Sequence, residues 1–104
     1  MFDNIFGNIQ QQQAELQQKL AGILVEAESG DGAVTVTAGA DLHVENIKLD
    51  PARLDLNDRE QLEDLLVVAV NRALDLAREK AAAETGKLLK DLLPFGNPED
   101  FPKP

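Results

Sequence analysis

The sequence predicts an α+β domain of two layers, in which a helix, a three-stranded antiparallel meander and a long second helix follow one another. Three observations predict this class. Apolar residues recur every three or four positions over 2–23, every second position over 23–49, and again every three or four positions over 58–84. Steps of three and four are typical of a helix face, and steps of two are typical of a strand. Because 104 residues suffice for one ordinary core, we expect a single domain over 1–93.

The first helix is predicted by a narrow apolar stripe, which consists of Phe2, Phe6, Ile9, Leu16, Leu20 and Ile23. Asp3 or Asn4 can accept hydrogen bonds from the free N–H groups at its start. Gly22 ends the helical pattern. A stripe this narrow suits packing against another helix, so we expect a second copy of the chain to contact it.

The three strands are expected at residues 23–28, 33–38 and 42–49. Turn-forming residues separate them, and the first turn contains Gly30 and Gly32, which permit a positive φ. Runs this short, joined by such turns, predict consecutive hairpins and therefore an antiparallel meander.

A β-bulge is expected in the third strand. Leu42 and Val44 share one face, whereas strict alternation would turn Ile47 and Leu49 to the other face. One extra residue near positions 45–46 would return all four apolar side chains to the same side.

The second helix is predicted over residues 58–84, opened by Asn57 with Glu60 three positions later, a variant of the capping box. Its apolar stripe is wide enough to cover a sheet. We therefore expect it to be the principal core helix. The expected core residues are Val34, Val36, Ile47, Leu62, Leu65, Leu66, Ala69 and Val70.

The end of the chain contains residues that interrupt helices. Gly86 predicts a break or a kink, after which residues 87–93 are expected to form a short C-terminal helix. Residues 94–104 contain four of the five prolines, and we expect them to be a disordered tail.

The chain is acidic, with 19 Asp and Glu residues against 10 Lys and Arg residues, a net charge of −9. Phosphate backbones and anionic membranes repel such a chain as a whole. The longest uncharged apolar run, residues 65–70, is far too short to span a membrane, and no basic segment opens the chain. These features predict a cytoplasmic protein in which any nucleic-acid contact depends on a local basic face.

Enzymatic chemistry is poorly provided for, because the chain has one His, one Ser, no Cys and no Tyr, and so no nucleophile and base pair. We expect His43 to be an ordinary solvated side chain. Glu26 and Glu28 share a strand face and could hold a metal, but a solvated face accounts for them better. Gly30 and Gly32 precede a strand, whereas a phosphate-binding loop precedes a helix. We expect no catalysis, cofactor or metal.

Basic residues are spaced along the second half of the chain and could line one side of the C-terminal helices, namely Arg72, Arg78, Lys80, Lys87 and Lys90. Such side chains would contact phosphates without reading bases. Pairing with nearby acids is the alternative, since Asp75 precedes Arg78 by three positions and Glu84 likewise precedes Lys87. Composition alone favours ion pairing.

Several motifs occur together in order: a Gln-rich first helix, the pattern Gly30, Gly32, Val34, Val36 and Gly39, the stretch 47–51, and residues 60–66 followed by Ala69, Asn71 and Ala73. This ordered set, covering residues 1–95, resembles the YbaB/EbfC family of small bacterial nucleoid-associated proteins. The resemblance implies a homodimer whose helices protrude like tweezers. It also implies binding to double-stranded DNA with little sequence preference, a role in organising the chromosome or modulating expression, and no catalysis.

We accordingly predict weak, salt-sensitive DNA binding in the nucleoid through Lys19, Arg72, Arg78, Lys80, Lys87 and Lys90. The predicted dimer interface consists of Phe6, Ile9, Leu16, Leu20, Leu66 and Ala73. The first helix departs from the family pattern, because Lys19 is its only basic residue. An alternative therefore stays open, in which the protein is an acidic dimeric module that binds another protein and no DNA.

Overall fold

Along the chain, one helix precedes a three-stranded sheet and a second helix follows it, in the order that the sequence predicts. The computed structural model describes residues 2–92, and the side chains of residues 7–91. The elements are α1 (Phe2–Ala21), β1 (Leu24–Ser29), β2 (Val34–Gly39), β3 (Val44–Leu49) and α2 (Arg59–Leu92). The predicted α+β class is confirmed. The predicted tail at 94–104 lies outside the described residues, as do the side chains of Asp3 and Asn4.

The sheet is an antiparallel meander in the order β1-β2-β3, so β2 is central and the other two strands are edges. Gly30, Asp31 and Gly32 form the first turn with positive φ values of 62°, 55° and 91°. A Cβ on Gly30 would lie 3.1 Å from a methyl carbon of Leu65. The turn therefore requires glycine at position 30 for both its backbone conformation and its close approach to α2.

The expected β-bulge is present in β3. Thr37 pairs with Asn46, and the next residue, Ala38, pairs with Val44, so Glu45 has no partner across the ladder. The extra residue places Val44 on the same sheet face as Ile47.

The core lies between α2 and the first two strands. Val34, Val36 and Ala38 of β2 are fully buried against Ala69, Ala73 and Ala77 of α2. Alanines at this spacing form one face of the helix and allow its backbone to approach the sheet. The larger predicted core residues of α2 are half-buried around this centre, namely Leu62, Leu65, Leu66 and Val70.

The prediction that Ile47 belongs to the core is wrong for the single chain, because its side chain is 44% exposed. Pairing with Val36 places Ile47 on the core face of the sheet. However, α2 packs against β1 and β2, and it does not extend far enough sideways to bury β3.

Two polar contacts attach α2 to β1. The buried hydroxyl of Ser29 donates a hydrogen bond to the carbonyl oxygen of Leu65 at 2.6 Å. The guanidinium of Arg72 donates to the carbonyl oxygen of Glu28 at 2.9 Å. Both bonds lie at the end of β1. They therefore fix the position of α2 along β1 as well as its distance from the sheet.

The helix ends differ in part from the sequence prediction. The carboxylate of Asp58 accepts a hydrogen bond from the backbone N–H of Gln61 at 3.1 Å, so Asp58 caps α2 in place of Asn57. α1 ends as expected, where the Gly22 N–H donates to the carbonyl oxygens of Gln18 and Lys19.

α2 runs without interruption through Gly86, so the predicted break and separate C-terminal helix are wrong. An exposed glycine costs a helix only about 1 kcal/mol relative to alanine. The three alanines at 81–83 and the leucines and lysines at 87–90 are good helix formers and offset this cost. Neither described helix has an apolar stretch long enough to cross a membrane.

Candidate nucleic-acid interface

The second half of α2 extends past the sheet. The last fully buried residue of the helix is Ala77, and α2 continues to Leu92. At a rise of 1.5 Å per residue, the remaining fifteen residues add about 22 Å of helix. The chain is accordingly elongated, with extents of 61 × 39 × 17 Å. We call residues 80–90 the distal segment.

The distal segment is a local basic region in an acidic chain. It carries Lys80, Lys87 and Lys90 against the single acid Glu84, a net charge of +2 in a chain of net charge −9, and Glu79 and Asp91 lie immediately outside it. At about 100° per residue, the three lysines fall within an arc of about 80° around the helix axis. They therefore share one side of α2, and all three are exposed.

Lys80 and Lys90 are the free cations of this segment. Neither side chain lies within ion-pair distance of a carboxylate on the described residues. Their ammonium groups can bind a phosphate without first breaking an internal contact.

Lys87 and Lys19 share one carboxylate. The Nζ atom of Lys19 lies 3.2 Å from Oε2 of Glu84, and Nζ of Lys87 lies 3.4 Å from Oε1. The lysine side chains are 65% and 73% exposed, whereas that of Glu84 is 17% exposed. The hydrogen bond from Lys19 lowers the pKa of Glu84 below its ordinary value of 4.5; partial burial opposes this shift, and the charge of Lys87 adds to it. Glu84 is therefore ionised at neutral pH.

The two arginines are engaged elsewhere. Arg72 lies beside the sheet, where it binds the Glu28 carbonyl oxygen. Arg78 forms an ion pair with Asp75 at 2.9 Å and lies about 160° around the helix from Lys80. The structure thus brings Lys19 and Lys87 to one carboxylate of the distal segment and leaves both arginines engaged elsewhere. Ion pairing by the expected neighbours is found for Arg78 and for Lys87.

A second surface lies on β3, an edge strand of the sheet. Val44, Ile47 and Leu49 are 41%, 44% and 40% exposed. Their partners across the ladder are the buried Ala38, Val36 and Val34, so these three residues continue the core face beyond the cover of α2. The outer edge of β3 is also unpaired in the single chain. We call these three residues the β3 surface.

The residues predicted to form a dimer interface are scattered. Leu20 and Ala73 are buried within the single chain, Leu16 and Leu66 are half-buried, and Ile9 is exposed. The side chain of Phe6 lies outside the described residues. Sequence reasoning missed the β3 surface, although the shared parity of Val44, Ile47 and Leu49 after the bulge is a signal that could have found it.

Other polar candidates give no built site. His43 pairs with Asp41 at 3.2 Å, and its side chain is 77% exposed. Glu26 and Glu28 are exposed. Within the described range, no group of three or more His, Asp or Glu side chains is arranged to hold a metal ion.

Similarity to known proteins identifies the family of this chain. The sequence pattern of the YbaB/EbfC DNA-binding family matches residues 2–92. A nucleoid-associated protein of Moorella thermoacetica is 44% identical over 77 residues, which are 74% of this chain and 74% of the relative. A nucleoid-associated protein of Anaeromyxobacter dehalogenans is 43% identical over 74 residues, 71% of this chain and 72% of the relative.

A solved structure shares the fold. An uncharacterized protein from Helicobacter pylori aligns with a TM-score of 0.67 over 85% of this chain and 92% of that one, at 18% identity. The helix, meander and long helix are thus common to both proteins. Given the match over residues 2–92, the chain belongs to the YbaB/EbfC DNA-binding family.

Proposed function

We propose that the protein binds double-stranded DNA as a homodimer with little sequence preference, and that it organises the nucleoid or modulates expression there. Family membership and the names of its relatives support DNA as the partner. The observation that carries the proposal is the distal segment, which concentrates three lysines on one side of a helix in an otherwise acidic chain.

The weak sequence preference follows from the type of cation. A lysine ammonium binds a phosphate oxygen as a point charge, without the planar fork by which Arg makes two fixed contacts to a base edge. Contacts to phosphates fix the position of a protein on the duplex but carry no sequence information. Phosphate contacts by Lys80 and Lys90 would therefore tolerate any sequence.

The β3 surface supports the homodimer. An unpaired strand edge can form hydrogen bonds with another chain, and the three half-exposed aliphatic side chains beside it can pack against that chain. A second copy offers a complementary surface, because a two-fold axis places the same patch on both partners. Dimerisation through β3 would leave the distal segments free and double the number of lysines available to DNA.

The test is a DNA titration of the unmodified protein at several salt concentrations. Lys80 and Lys90 in two copies neutralise about four phosphates, so log affinity against log salt should have a slope of about −3 to −4. Two duplexes of unrelated sequence should bind with similar affinity. Binding visible at about 50 mM salt should fade near physiological ionic strength.

A matched pair of variants locates the contact. Lys80→Gln with Lys90→Gln should abolish most of the binding. Lys48→Gln with Arg78→Gln removes the same charge from the sheet and from the other side of α2, and it should retain more of the affinity. Equal losses in the two variants would show that only net charge matters.

The charge of the sheet region favours a second candidate function. Residues 21–57 carry seven acidic and two basic residues, a net charge of −5. In this alternative the dimer is an acidic module that binds another protein, through the sheet and the glutamines of α1. Absence of DNA binding at about 50 mM salt would favour this alternative over the first.

A further inference from the structure

Glu84 is an acidic residue placed among the lysines of the distal segment. It is the only acid among residues 80–90, and its two carboxylate oxygens each contact a different lysine. Its side chain is largely shielded, whereas both lysines are mostly exposed. The carboxylate is thus the centre of a cluster with two positive charges at its rim.

The same cluster joins the two helices. Lys19 to Glu84 is the ion pair that connects α1 with α2 among the described residues. Beside it lies an open cavity of about 310 Å³. Its lining residues are Gln12, Glu15, Leu16, Lys19, Glu84 and Leu88. The helices therefore do not pack tightly at this level, and the charge contact holds α1 near the distal segment.

We propose that Glu84 is an internal competitor of DNA phosphate, which holds Lys19 and Lys87 in the free protein and leaves Lys80 and Lys90 as the main phosphate contacts. This inference rests on the proposed DNA-binding function and adds the residue that limits it. The partner it concerns is the phosphate backbone of a duplex.

Glu84 and a DNA phosphate compete for the same ammonium groups. A carboxylate and a phosphate oxygen both bind lysine by charge-assisted hydrogen bonds. Lys19 and Lys87 must leave Glu84 before they can reach a phosphate, and the ionised Glu84 itself repels the backbone. Neutralising Glu84 removes both obstacles, and the exposed lysine side chains are long enough to reorient.

The test compares Glu84→Gln with Glu79→Gln. Each variant removes one negative charge from α2, but in the described structure Glu79 has no lysine or arginine within ion-pair distance. If Glu84→Gln releases Lys19 and Lys87 in each of two copies, the dimer neutralises about eight phosphates in place of about four. The slope of log affinity against log salt then steepens from about −3.6 to about −7. Affinity would then fall about 20,000-fold between 50 and 200 mM salt, against about 150-fold for the unmodified protein.

A second substitution separates competition from a purely structural effect. Lys19→Gln should change the slope little in the unmodified protein, where Lys19 is held by Glu84. In the Glu84→Gln background it should reduce the steepness by about 1.8, because two phosphate contacts are lost per dimer. If the ion pair between Lys19 and Glu84 only positioned α1, Lys19→Gln would change the slope equally in both backgrounds.

The outcomes distinguish the inference from the function beneath it. If the unmodified protein binds DNA and Glu84→Gln behaves like Glu79→Gln, the inference is overturned and DNA binding stands. If neither the unmodified protein nor Glu84→Gln binds DNA at about 50 mM salt, both are overturned. Should Glu84→Gln fail to fold, the salt dependence of Lys19→Gln with Lys87→Gln decides. A slope of log affinity against log salt close to that of the unmodified protein supports the inference, because those two lysines then make no phosphate contact, and a slope as shallow as that of Lys80→Gln with Lys90→Gln contradicts it.

Discussion

The sheet end and the distal end of the molecule are built on different principles, although α2 belongs to both. At the sheet end, alanines of α2 are buried against β2 and the apolar β3 surface is left half-exposed. At the distal end the helix has no fully buried residue among those described, and its lysines face solvent. The core contacts and the exposed lysines thus occupy separate parts of one helix. We therefore expect substitutions in one part to leave the other part unchanged.

The largest effect is expected from a charge placed in the core of the sheet end. Val36 is fully buried on the central strand, within the apolar cluster that β1, β2 and α2 form. Val36→Asp should abolish the cooperative fold, because an isolated carboxylate in an apolar interior is very costly. Urea unfolding followed by circular dichroism measures this. An unfolding midpoint like that of the unmodified protein would show that the core is not where we place it.

A charge on the β3 surface should separate assembly from folding. Ile47→Asp places a carboxylate on a side chain that is 44% exposed in the single chain, so the fold should persist while the dimer dissociates. Light scattering at low micromolar concentration should give about twice the chain mass of 11.3 kDa for the unmodified protein and the single mass for the variant.

Lys48→Asp is the control, because Lys48 neighbours Ile47 on β3 but lies on the opposite sheet face. It should leave the dimer intact. Leu16→Asp tests the alternative interface on the α1 stripe. If Leu16→Asp gives monomers and Ile47→Asp does not, the dimer forms through α1.

The smallest effect is expected at Gly86, where local helix propensity acts almost alone. A Cβ added there meets nothing within 4 Å. Gly86→Ala should therefore raise the free energy of unfolding by about 0.5–1 kcal/mol, provided that the distal segment unfolds together with the sheet end. Thermal unfolding measures the change. A decrease in the melting temperature would mean that Gly86 adopts a special conformation or contacts a partner.

The fold was largely predictable because local rules determine it. Changes in hydrophobic period located all five elements, and the parity break in the third strand predicted a bulge near positions 45–46, where the structure has Glu45 unpaired. The errors arose where the deciding factor was not local. The exposure of Ile47 depends on how far α2 reaches across the sheet, and the continuity of the helix through Gly86 depends on the propensity of its neighbours.

The candidate site was predictable only in part. The pairs Asp75 with Arg78 and Glu84 with Lys87 follow from a spacing of three on a helix. The contact between Lys19 and Glu84 joins residues 65 positions apart, and no rule of spacing indicates it. The sequence therefore suggested which residues are cationic but not which of them are already engaged.

The most direct test of the account is to map DNA on the folded protein by amide NMR, with a short duplex titrated at about 50 mM salt. We expect the largest chemical-shift changes within residues 80–90, with β1, β2 and β3 unaffected. Changes centred on the strands, with none in the distal segment, would contradict the claim that the sheet end assembles the dimer while the distal end holds DNA.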